Sequence, residues 1–253
     1  MKKLIPALCM LLVATALLGT STYAWFSMNT QVKATGMQVK AVTNANLYIE
    51  EGLIGDPSSI TGDEVTMGST LHSLKPADLV ADSGTVSVNI PDEYTTKPTV
   101  STAGTAKTWT TKGTFTKTTA TTALNSTDTD GIGNYIAGET MTLVRKAETN
   151  SGTYDVDAKV TVTLTGTSNL NKAIYCGFLV GDKFTQKAAD TPAASGSVTF
   201  TFNDLIDGAT DNAVQQVTFV FWYEGEDGNC TANNAIAIST NSVAITFTSR
   251  DHT

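Results

Sequence analysis

What most constrains this chain is its alternation. Apolar and polar residues exchange places with a period of two in run after run. No stretch of ten or more residues beyond the first two dozen carries a convincing helical period of 3.6. The cleanest run is Asp155 to Thr165, with Val156, Ala158, Val160, Val162 and Leu164 on one face and Asp, Lys and Thr on the other. Val32 to Val42 alternates too, with Gly36 as an expected kink or bulge. Leu47 and Ile49 mark a short strand, and Val86, Val88 and Ile90 mark another that Pro91 stops. Thr140 to Lys146, Ser197 to Phe202, Gln216 to Glu224 and Val243 to Phe247 complete the alternating set. Ala173 to Gly181 is apolar throughout, as a central strand is. About nine strands with polar connections predict an all-β chain, a jelly-roll-like β-sandwich covering residues 43–253. Abundant Thr, Gly and Asn agree, since Thr favours strands and the other two favour turns.

One segment breaks the rhythm. Thr95 to Asp130 has little hydrophobic patterning, and 13 of the 30 residues from Ser101 to Asp130 are Thr. It reads as an inserted Thr-rich hairpin or long surface loop, about residues 95–130, with Thr108 to Lys117 able to form a polar hairpin.

The N-terminus is of another kind. Met1-Lys2-Lys3 is basic, Leu4 to Leu18 is apolar, and Gly19 to Ala24 is small and polar. This is the pattern of a signal peptide over residues 1–24, an apolar signal helix, with Thr22 and Ala24 placed for a cut between Ala24 and Trp25. An uncleaved membrane anchor is the alternative, because Leu4 to Phe26 barely spans about 30 Å of hydrocarbon. The net charge is −8, and −10 once Lys2 and Lys3 are gone. That excludes nucleic acid and an anionic membrane surface as expected partners and suits an extracellular protein. Membrane contact is expected only through an uncleaved signal segment.

Cys9 leaves with the signal segment. Cys176 and Cys230 then remain, an even number that predicts a disulfide in an exported chain. Two buried thiols are the alternative, since Cys176 lies inside an apolar strand.

Residues for chemistry are scarce. His72 and His252 are the only histidines, and His252 sits on a tail expected to fray. No zinc-protease, nucleophile-elbow or phosphate-loop motif is present. Neither an enzyme nor a cofactor is expected. Asn125 to Gly131 offers Asp128 and Asp130 as hard oxygen ligands, yet Glu139 falls one residue beyond the place a calcium loop requires. An Asp/Asn/Gly turn is the preferred reading. Glu224 to Cys230 reads as a second acidic turn. In Phe219-Val220-Phe221-Trp222-Tyr223, core packing on both faces is preferred over a sugar-stacking platform.

The leader ending Gly-Thr-Ser-Thr-Tyr-Ala before Trp25-Phe26-Ser27, the alternating segment after it, and Leu71-His72-Ser73-Leu74-Lys75-Pro76-Ala77-Asp78 together resemble the TasA/camelysin (CalY) family of secreted biofilm-matrix proteins. In that family's L-x-x-L-K-P-G-D turn, Ala77 stands here where Gly is usual. The resemblance covers mainly residues 1–42 and 71–78. It implies a secreted jelly-roll subunit, cut by a dedicated signal peptidase, that polymerises into extracellular fibres or pili. Assembly is by donor-strand complementation, in which an N-terminal segment fills a groove in the next copy. Residues 25–42 are then the donor candidate, with Trp25, Phe26, Met28, Val32, Met37 and Val39 as donor side chains. An ordinary first strand paired within its own sandwich is the alternative for Val32 to Val42. A monomeric adhesin or carbohydrate-binding sandwich is the alternative for the whole chain. Camelysins also carry a metalloprotease label, but two isolated histidines supply no zinc ligand set, so that activity is not expected.

Overall fold

The computed structural model describes residues 37–43, 46–69, 74–91, 109–124, 131–147, 152–165, 167–230 and 239–252. The signal segment, the cleavage pair Ala24 and Trp25, and the donor candidates Phe26, Met28 and Val32 lie outside them. So do His72 and the calcium candidates Asp128 and Asp130.

The described chain is mostly strand, as the alternation predicts. Two five-stranded sheets face each other. The first runs in the order β11 (Gly196–Thr210), β8 (Thr153–Thr165), β13 (Ser239–Asp251), β1 (Met37–Thr43), β3 (Glu64–Ser69). The second runs β10 (Lys183–Ala188), β9 (Ile174–Val180), β12 (Gln215–Tyr223), β7 (Ile136–Arg145), β2 (Leu47–Glu51). Their inward side chains form one apolar core, in which Val156, Val160 and Val162 of β8 meet Phe178 of β9 and Phe219 of β12. Phe178 is the hub, with its ring centroid 4.9 Å from Phe202, 5.4 Å from Phe219 and 6.0 Å from Phe247. Each such side chain taken from water stabilises the fold by about 1.5–3 kcal/mol.

A third sheet, β4 (Asp78–Asp82), β5 (Thr85–Pro91) and β6 (Trp109–Phe115), covers the outer face of the second. Val86, Val88 and Phe115 meet Leu179, Val220, Trp222 and Ile136 in a second core. Ser83 and Gly84, both at positive φ, make the tight β4–β5 turn.

This corrects the reading of the Thr-rich insert as a surface hairpin or loop. Its described part is β6, paired antiparallel with β5, followed by a one-turn helix, Ala120–Leu124. Phe115, Ala120 and Leu124 are buried against the second sheet. The Thr residues supply β-favouring stiffness, while a few apolar side chains fix which face turns inward. The second sheet is therefore covered on both faces, and β12 shows it. Phe219, Phe221 and Tyr223 lie in the first core, and Val220 and Trp222 in the second. All five are buried, so they form no sugar-stacking platform.

Candidate assembly interface

β1 holds a central place in the first sheet. It runs parallel to β13, with Val39 opposite Val243, Ala41 opposite Ile245 and Thr43 opposite Phe247. On its other side it runs antiparallel to β3, with Met37 opposite Ser69, Val39 opposite Met67 and Ala41 opposite Val65. Met37 and Val39, expected as donor residues for another copy, are thus paired within their own chain. The physical reason is local. The chain turns through residues 44–46, Asn46 takes φ +62°, and β2 crosses at once into the second sheet. The backbone ties that corner, because Thr43 N–H donates to Asp63 O at 3.0 Å and Ile49 N–H to Gly62 O at 2.7 Å. β1 therefore lies within reach of the slot between β13 and β3 of its own fold.

That slot is otherwise deep and apolar. Ala41, Val65, Ile245 and Val243 are buried on the inner side. Facing them from the second sheet are Ala137, Met141 and Leu143 of β7, and among these apolar neighbours sits Glu139. Glu139 is only 5% exposed. Burial, with the Glu51 charge adding to it, pushes its carboxyl up to about 7. The sequence singled it out only as a misplaced calcium ligand. Its odd-numbered place on β7, between Ala137 and Met141, is the signal that puts it inside.

The C-terminal end of the first sheet is locked by charge. β11 breaks register between Phe202 and Ile206 and again between Ile206 and Ala209. Asp204 at φ +51° and Gly208 at φ +64° make these bulges. The bulged backbone aims donors at β8: Gly208 N–H reaches Asp155 Oδ1 at 2.9 Å, and Asp204 N–H reaches Asp157 Oδ1 at 2.8 Å. Arg250 of β13 bridges Asp155 and Asp204 through its two terminal nitrogens. His252 Nδ1 lies 2.6 Å from Asp155 Oδ1 and 3.3 Å from Asp207 Oδ1. The Gly208 amide first, then His252 and Arg250, hold the Asp155 carboxyl down at about 2.

His252 is therefore not a frayed or isolated residue, since its backbone N–H also donates to Thr153 O at 3.0 Å. One ligand atom each from Asp155, Asp207 and His252 lies within 4.8 Å of the others. The Arg250 guanidinium on Asp155 already answers that carboxylate's charge, so the cluster works as an ion-pair clasp between β8, β11 and β13.

The two cysteines are not bonded to each other. Cys176 points into the first core from the middle of β9 and is fully buried, and burial pushes its thiol well above the usual range. Cys230 follows β12 and packs half-buried against the same core. The expected disulfide is thus replaced by two packed side chains. The Glu224 turn is more than a turn. Glu224 accepts from Trp222 Nε1 at 3.1 Å and from Glu226 N–H at 3.1 Å, and burial raises its carboxyl. The Lys75-Pro76-Ala77 segment is stitched beside it, with Ala77 N–H donating to Tyr223 O at 3.0 Å and Gly225 N–H to Ala77 O at 2.8 Å. Ala77 is fully buried there.

Compared with known proteins, the chain matches no family model and no curated protein.

Proposed function

We propose that this chain is a secreted structural subunit of jelly-roll type, at the cell surface or in an extracellular matrix. It polymerises head to tail by lending its N-terminal strand to the next copy once a signal peptidase has cut after Ala24. The observation that carries the reading is the setting of β1. The strand nearest the N-terminus lies between β13 and β3 and joins the rest of the fold through residues 44–46 alone. Withdrawn, it leaves two unpaired strand edges and an apolar strip. The β1 of a second copy satisfies both with the same register. Because every backbone bond is regained, exchange costs little enthalpy, and a head-to-tail exchange propagates rather than closes. The resemblance of residues 1–42 and 71–78 to TasA/camelysin sequences points the same way.

The donor is then the whole of residues 25–42. Met37 and Val39 sit in the slot, and Trp25, Phe26, Met28 and Val32 precede it. A cut at Ala24 frees this segment from the membrane, which makes cleavage the switch. Negative-stain microscopy of residues 25–253 tests the reading, with and without an excess of synthetic peptide 25–43. Filaments that the peptide shortens or abolishes are expected. Monomers at every concentration would sink the reading and leave a monomeric adhesin or carbohydrate-binding sandwich in front.

A further inference from the structure

The inner face of β7 contains a group that a purely structural slot does not need. The odd-numbered residues of β7 face the first core: Ala137, Met141 and Leu143 are apolar, and Glu139 is not. Across β12, Glu139 stands in register with Phe219, flanked by Val217 and Phe221. From the opposite sheet, β3 packs across β7, and Ala41, Val65 and Ile245 belong to the same core. The one charged group acting on Glu139 is Glu51 of β2, itself an acid. Glu64 of β3 alternates away from Val65 and is exposed. Among the described residues no cation is brought to this carboxyl.

We infer that Glu139 is a proton-controlled latch on β1: protonated, it lets β1 stay seated in the slot, and ionised, it loosens the strand for exchange between copies. This rests on the exchange of β1 proposed above.

The sign follows from linkage. With β1 seated, Glu139 is buried and its carboxyl is raised from 4.5 to about 7. With β1 withdrawn, the inner face of β7 meets water and the carboxyl returns to its ordinary range. Below about pH 4.5 both states carry the proton, and seating is at its strongest. As pH rises toward 7 the withdrawn state releases its proton first, so the equilibrium drifts toward release. Above about pH 7 both states are ionised and seating is at its weakest. The shift corresponds to a change in the seating equilibrium of up to about a hundredfold. Acid thus fixes strands where they are, in single chains and in filaments alike, and neutral or alkaline pH permits exchange.

Hydrogen exchange of the β1 amides in the full chain, corrected for intrinsic rates between pH 5 and 8, reads the latch without requiring assembly. In the unsubstituted chain, opening of β1 should rise by about a hundredfold across that range. Glu139→Gln should hold β1 at its acid level of protection throughout. Glu51→Gln removes the neighbouring charge, leaves the slot's lining intact, and should move the midpoint toward acid. Equal β1 opening in the unsubstituted chain and in Glu139→Gln at every pH, or an unmoved midpoint in Glu51→Gln, would overturn the latch. Filaments in that case would still stand on their own. Conversely, a working latch in a chain that never forms filaments would sink the exchange reading and keep the latch as a property of the single fold.

Discussion

Replacing Phe115 by Ala tests whether the Thr-rich segment is a structural layer. Phe115 is fully buried at the end of β6, and it shares the second core with Val86, Val88, Leu124, Ile132 and Trp222. The space around it is tight, since a Cβ at Gly113 on the same strand would meet Ile132 Cγ2 at 2.7 Å. A site that close-packed relaxes little, so Phe115→Ala should cost about 3–5 kcal/mol in lost transfer and cavity terms. Urea unfolding at pH 7, followed by tryptophan fluorescence, reports directly, because Trp222 lies in the same core. With a slope of about 3 kcal/mol/M, the midpoint should fall by roughly 1–2 M. The control is Thr114→Ala on the exposed face of β6, expected to change stability by no more than about 0.5 kcal/mol. A Phe115→Ala shift as small as that of Thr114→Ala would refute the third sheet as a structural cover and restore a surface loop.

Other outcomes follow from the same contacts. Asp155, with its carboxyl held at about 2 in the fold, contributes stability that is present above about pH 4 and is lost as pH falls toward 2. Asp155→Asn should erase that acid-dependent part of a denaturation curve measured against pH. Gly138→Ala should abolish folding as seen by circular dichroism, because its Cβ would lie 2.3 Å from Phe219 O on the neighbouring strand. In residues 25–253, a thiol reagent such as DTNB should reach Cys230 in the native state and Cys176 only on unfolding, given complete burial of Cys176.

How far the sequence disclosed this molecule differs from element to element. β8, β12 and β13 announce themselves, because each has one face in an apolar core and the alternation is unbroken. The all-β class is therefore plain from the sequence. β11 was expected to end at Phe202, yet it runs to Thr210, because Asp204 and Gly208 bulge the strand and shift which residues face inward. β6 and β10 are hidden, since edge strands such as Trp-Thr-Thr-Lys-Gly-Thr-Phe and Lys-Phe-Thr-Gln-Lys-Ala bury only a residue or two. The third sheet disappears with them. The clasp of Asp155 and His252 joins residues 97 apart, which no local pattern can signal. For β1 the alternation was visible and its partner was not. A strand of this kind has the same sequence whether its slot lies in its own chain or in the next.

That last ambiguity is settled most directly by cysteine cross-linking. Val39 of β1 and Val243 of β13 are register partners across the parallel ladder. In a Cys230→Ser background of residues 25–253, one copy carries Val39→Cys and the other Val243→Cys. The two are mixed and held under oxidising conditions at pH 8. If β1 is exchanged between copies, the mixture gives disulfide-linked heterodimers that neither copy gives alone. If only a single chain carrying both substitutions forms the bond, and the mixture stays unlinked, β1 remains at home and the account of assembly is wrong.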